Sequence, residues 1–251
     1  MNNESFVRSV VKTSFPIVLL CAGVAGAFIS CTKSPIGPLV PFPDNPLEKA
    51  YYLKSGDLLE QFFAEWTAAI PPTNESELEN LSDTLRAIHA IFKIFYSPFD
   101  LSKVGGSEWG SGFYHGSRYV VVQTSMLFRA DSVADIDTVK EFFPAVSFSE
   151  AGVVYLTDEY RDCLTDFLQA DSTWEGRQKR MEFLNLKTKV VPGHWFGWHL
   201  VTHPEVFFIQ FYENLTRARL YFRVIYQGGE AEFHREDNGW TMTGSRLIWI
   251  E

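Results

Sequence analysis

Side chains able to do chemistry gather toward the C-terminal end of this 251-residue chain. Arg235 and Arg246, with Tyr226, form one group. A guanidinium is a planar fork of donors, so such a group suits a carboxylate or phosphate. His194, His199 and His203 form a second. Their spacing matches no standard zinc signature, so ordinary sheet and turn histidines are expected, and no metal. Acid–base work needs a pair such as Asp237 with His199, or Asp158 with His115, and a shifted pKa. Trp195, Phe196 and Trp198 offer a surface that stacks on sugars or on a partner, unless they belong to the core. No Gly-rich phosphate loop, nucleophile elbow or paired metal-binding carboxylate motif is present, so no cofactor is expected.

Residues 206–251 must position most of these groups, and they read as antiparallel strands joined by short turns. Gly228-Gly229 and Asn238-Gly239 each separate alternating runs. Such dipeptides accept the positive φ of two-residue hairpin loops. That register sets Tyr226 opposite Ala231, Val224 opposite Phe233, Arg235 opposite Met242 and Ala231 opposite Arg246. With a side-chain period of two, both arginines and Tyr226 fall on the apolar face, with Leu220, Phe222 and Phe233. Arg219, Tyr221, Arg223 and Glu232 fall on the other, as in a sheet covered on one side. A turn at Asn214-Leu215 adds Phe207, Ile209 and Phe211 to the inner face, and His203-Pro204 turns the chain once more.

A bare guanidinium is costly to bury. Either the sheet encloses a pocket where Arg235 and Arg246 meet a small anionic ligand, or both reach the rim beside Asp237 or another acid. A β-bulge anywhere in these hairpins reverses the parity and removes the pocket reading.

The first 46 residues bear on where the protein goes. Arg8 and Lys12 precede the uncharged, mainly apolar run Phe15 to Ile29, and small Ser30 follows. Residues 1–30 therefore read as a secretory signal, too short to span a bilayer comfortably. Residues 31–46 carry Pro35, Pro38, Pro41, Pro43 and Pro46, the composition of an extended tether. Residues 47–251 form a single domain with enough apolar content for one sizeable core.

That domain opens on two helical patterns. Leu58, Leu59, Phe62, Phe63 and Trp66 recur at helical spacing, with Asp57 and Glu60 as a capping box. After Asn74, a stripe of Leu78, Leu81, Leu85, Ile88, Phe92 and Phe95 predicts a second helix, with His89 half-buried at its border. Both suit the lid of one sheet. Residues 118–128 then alternate as a strand, and Ser132 caps a helix through Phe142. Val153 to Leu156 reads as a strand, and Thr157 caps a helix carrying Cys163, which reads as a buried structural thiol. Residues 176–189 fit helix or loop.

The formal charge is −9, and removing residues 1–30, with two bases and one acid, makes it −10. That argues against a nucleic-acid surface, which wants a basic face.

Phe28-Ile29-Ser30-Cys31 resembles a bacterial lipobox, with Phe28 in place of the commoner Leu, in the relaxed form of Bacteroidota lipoproteins. The resemblance implies acylation of Cys31 and a stable membrane-lipid anchor. Thr32, which is not Asp, implies the outer membrane, and no acidic run after Cys31 directs the chain to the outer leaflet, so its periplasmic face is expected. Two amphipathic helices and a closing meander ending in Trp249-Ile250-Glu251 resemble the NTF2-like superfamily, an α+β cone whose curved sheet wraps around helices. The expected function is a non-catalytic binding or assembly module. The alternatives are a small lyase, isomerase or hydrolase using the cone interior, and a protein-interaction scaffold of the cell envelope.

Overall fold

The computed structural model describes residues 45–105, 112–130 and 135–250. The signal, Cys31 and nearly all of the tether lie outside them. Helices α1 (Pro46–Tyr52), α2 (Gly56–Ala69), α3 (Glu75–Glu79) and α4 (Asp83–Phe95) come first. Strands β1 (Tyr119–Gln123), β2 (Met126–Arg129), β3 (Asp137–Val139) and β4 (Gly152–Leu156) follow. Then come helices α5 (Asp158–Gln169) and α6 (Trp174–Leu184) and the short strands β5 (Val191–Pro192) and β6 (Trp198–His199). The chain closes with β7 (Glu205–Tyr212), β8 (Arg217–Val224), β9 (Gln227–Glu236) and β10 (Gly239–Ile250).

The result is an α+β fold whose main sheet is curved, open and mostly antiparallel, in the order β10-β9-β8-β7-β2-β3. Helix α4 fills its inner face. Ile88, Ile91, Phe92 and Phe95 recur at helical spacing and are all buried there. Phe95 packs 5.0 Å from Phe222 and 6.4 Å from Phe233, ring centre to ring centre.

Helix α2 does not join that lid, contrary to the sequence expectation. Its Leu59, Phe62, Phe63 and Trp66 form a second core with α5. The wall between the two cores is the parallel pair β1–β4. Val121 and Val154 face the second core while Val122 and Tyr155 face the first. A strand buried on both faces reads as a continuous apolar run, which Val120-Val121-Val122 supplies.

Several local expectations are corrected. Residues 118–128 split into β1 and β2, which belong to different sheets. The stripe after Asn74 breaks into α3 and α4, because Ser82 starts a new helix by accepting from the Leu85 N–H. Ser55, not an Asp57–Glu60 box, caps α2. Residues 137–139 are a strand rather than part of a helix; Ser132 lies outside the described residues. Residues 176–184 belong to helix α6.

The hairpins also turn elsewhere. Val224 pairs with Gln227, so Ile225-Tyr226 is the loop, and Gly228-Gly229 lie inside β9. Ile225 takes the positive φ. Glu236 pairs with Gly239, so the next loop is Asp237-Asn238. The first displacement is an even number of residues, so Phe222, Val224, Ala231 and Phe233 keep their inner face. Three bulges change the rest. One between Val206 and Phe208 turns Phe207 outward, 43% exposed. A second, between Met242 and Gly244, reverses the facing from Gly244 to Leu247, and a third, between Leu247 and Trp249, restores it.

Candidate functional site

That second bulge decides the arginine group. Arg246 stands opposite Glu230 on the outer face, not opposite Ala231, and its Nη2 lies 2.6 Å from the Glu230 carboxylate. Arg235 is exposed at the end of β9. Tyr226 sits in the β8–β9 loop and donates its hydroxyl to the Pro192 carbonyl. The three do not meet, and the inner face where a pocket was expected holds buried aromatics.

Tyr226 instead joins the histidines. Its ring lies 4.8 Å from His194 and 5.4 Å from His199, and His199 lies 5.5 Å from His203. The file runs from exposed His194 through half-buried Tyr226 and His199 to buried His203. His203 Nδ1 faces the Arg223 carbonyl at 3.1 Å. A carbonyl only accepts, so Nδ1 carries the proton and Nε2 keeps its lone pair, buried without a hydrogen-bond partner. Burial, and then the neighbouring His199, push this imidazole down to about 3. At that value His203 exchanges no proton near neutral pH, and it forms the buried end of the file. The file braces a loop.

That loop is residues 193–197, between β5 and β6. The Gly193 N–H donates to the Gly197 carbonyl at 2.8 Å, and the Gly197 N–H to the His194 carbonyl at 3.0 Å. At its tip Trp195 is 96% exposed, with φ 56° and ψ 39°. A bulky side chain in left-handed backbone is an outlier, and such strain costs about 1–3 kcal/mol. Trp198, by contrast, is half-buried and packs on the second core. The two tryptophans expected to share a surface therefore part company.

A polar cleft of about 410 Å³ lies across the start of β1 and β4, lined by Glu60, Arg118, Tyr119 and Glu150 among others. Tyr119 donates to Glu60 Oε1 at 2.6 Å, and Lys187 Nζ lies 2.6 Å from Oε2. Hydrogen bonds from Lys187 and then Tyr119 hold the Glu60 carboxyl below its ordinary range. His115 pairs with Glu150 at 2.7 Å, not with Asp158, and both partners are about half exposed. Asp237 sits in the exposed β9–β10 turn, at the opposite end of β9 from Tyr226 and the His199 ring beside it. His89 is nearly buried against Phe142, 4.6 Å away, and burial pushes it down to about 4.

Two polar links had no local sequence signal. The Gln123 amide takes the Val206 N–H at 2.7 Å and donates to the Val206 carbonyl at 2.5 Å, tying β1 to β7. Arg180 is buried over the Tyr51 and Phe167 rings, beside Glu48 at 2.5 Å. Each partner is remote in sequence. Among the described residues, no group of three or more His, Cys, Asp or Glu is placed to hold a metal. No protein-family model, curated protein or solved structure matches the chain.

Proposed function

We propose that the chain is an exported, lipid-anchored binding or assembly module of the bacterial cell envelope, non-catalytic, with Trp195 as its point of contact. One observation carries the binding half of this reading. Trp195 is 96% exposed on a strained, hydrogen-bonded tip that packed rings hold in place. Water disfavours an exposed indole and the backbone there is strained, so the arrangement serves a contact rather than the fold. Its large, rigid ring suits a protein partner in the envelope. A small anionic ligand has less in its favour, because Arg235, Arg246 and Tyr226 stand apart.

The interior favours a binder over an enzyme. Phe95, Phe222 and Phe233 fill the concave face at 0–2% exposure, where a substrate would need room. The curved sheet around α4 supports an NTF2-like reading of residues 83–105 and 205–250. The parallel β1–β4 wall and its second core lie outside that pattern.

The anchor half rests on Cys31 and its preceding Phe28-Ile29-Ser30. Cys31→Ala is expected to move the protein from the outer-membrane fraction to the soluble periplasmic one. Membrane association unchanged in that variant contradicts the anchor. Trp195→Ala is expected to leave the protein folded and to abolish recovery of its partner from solubilised envelopes; full recovery contradicts the contact.

A further inference from the structure

Helices α1 and α6 leave a groove of about 450 Å³, lined by Tyr51, Tyr52, Phe183 and Leu186 and rimmed by Lys54, Lys179 and Glu182. Tyr52, Leu53 and Leu186 are 49%, 57% and 59% exposed. Single exposed apolar side chains are ordinary, but a cluster continuous with a groove calls for an occupant. The groove is firmly built. Tyr51 is held edge-on by Phe167 at 5.7 Å and Phe183 at 5.5 Å, over the Arg180 guanidinium at 4.7 Å.

We propose that this end of the molecule, the Tyr52-Leu53 tip with the α1–α6 groove, seats the domain on the lipid bilayer surface. The proposal rests on the lipid-anchored reading above. Three features select a membrane as the occupant. Tyrosine joins an apolar ring to a polar hydroxyl, and lysine an apolar stem to a charge, which is the composition of the zone between acyl chains and headgroups. Lys54 and Lys179 are matched by Glu182 on the same rim and by Glu175, which pairs with Lys179 at 2.7 Å, so this end is close to neutral on a chain of net charge −9. Anionic headgroups repel such an end less than they repel an acidic surface. Finally, α1 begins only fourteen or fifteen residues after Cys31. Even fully extended, that chain reaches no more than about 50 Å, so α1 and the tip after it stay near the anchor. One lipid modification supplies one attachment, and a weak surface contact beside it fixes how the domain stands.

The test uses the protein as the cell makes it, with a nitroxide spin label on Leu186→Cys and, separately, on Asp237→Cys at the β9–β10 turn, both with Cys163→Ala. Each is added to or reconstituted with vesicles of phosphatidylethanolamine and phosphatidylglycerol, and collision with an aqueous nickel complex and with oxygen is measured. The Leu186 label is expected to show several-fold lower nickel and higher oxygen collision than the Asp237 label. Equal nickel collision at both sites overturns the proposal. So does dipolar broadening between Leu186 labels without vesicles, which marks a second copy of the chain as the occupant. Fractionation reports separately on the anchor. A chain found in the soluble fraction refutes lipidation, and the same chain added to vesicles still decides the seating.

Discussion

Trp249 lies across Gly228. A Cβ added to that glycine would stand 1.9 Å from the indole, and the two residues face each other in the β9–β10 ladder. Next to it, a Cβ on Gly229 would meet the Phe222 ring at 2.4 Å and the Arg246 carbonyl at 2.6 Å. The pair gives ring and backbone a close approach inside a strand, not a turn. Gly229→Ala is expected to cost about 3 kcal/mol or more, because one obstacle is backbone. Gly228→Ala is expected to cost less, about 1–2 kcal/mol, since half-exposed Trp249 can swing outward. Urea unfolding of both variants checks the order.

Gln123 ties the small sheet to the large one through both polar groups of Val206. Gln123→Met keeps the volume but leaves the Val206 N–H and carbonyl buried without that partner. The expected loss is about 2–4 kcal/mol, at the upper end for two abandoned groups. A loss below about 0.5 kcal/mol in chemical denaturation contradicts the link.

His203 gives the fold an acid limb. Its folded value of about 3 lies below the 6.5 of an exposed histidine. The unfolded chain therefore takes up a proton that the folded chain refuses. This contribution is complete above pH 6.5 and shrinks as pH falls toward 3, by up to about 1.4 kcal/mol per pH unit. His203→Asn, whose amide can still donate to the Arg223 carbonyl, is expected to flatten that limb. His89, pushed down by burial in the same sense, leaves a residual slope between pH 6.5 and 4. Unfolding free energies from pH 8 to pH 4 measure both.

Much of the main sheet could be read from the sequence, and for a definite reason. Alternation is local, and the misplaced β8–β9 turn moved the register by an even number, so the inner residues kept their face. The arginine group failed where locality ends. Nothing near Thr243 announces the bulge that sends Arg246 to Glu230. The β1–β4 pairing was out of reach because a parallel pair joins segments some thirty residues apart. Residues 118–128 alternate well enough for one strand, yet Gln123-Thr124-Ser125 carries the chain between two sheets. The ring file behind Trp195 was not legible, because it joins residues remote in sequence: Tyr226 reached His194 and His199 only once the turn moved onto Ile225-Tyr226.

Trp195 sets stability against contact. With φ 56°, its backbone suits glycine. Trp195→Gly is expected to stabilise the protein by about 0.5–1 kcal/mol, seen as a raised thermal midpoint, while abolishing partner recovery. A destabilised Trp195→Gly variant would assign the indole to the fold instead.

The most direct test of the binding claim places a photo-cross-linking amino acid at exposed His194, beside an intact Trp195, in the intact cell envelope, with Arg235 replaced in the same way as a control. One discrete protein adduct is expected from position 194, lost when Trp195→Ala is added, and none from position 235. No adduct from position 194 in envelopes that hold the folded protein contradicts the claim.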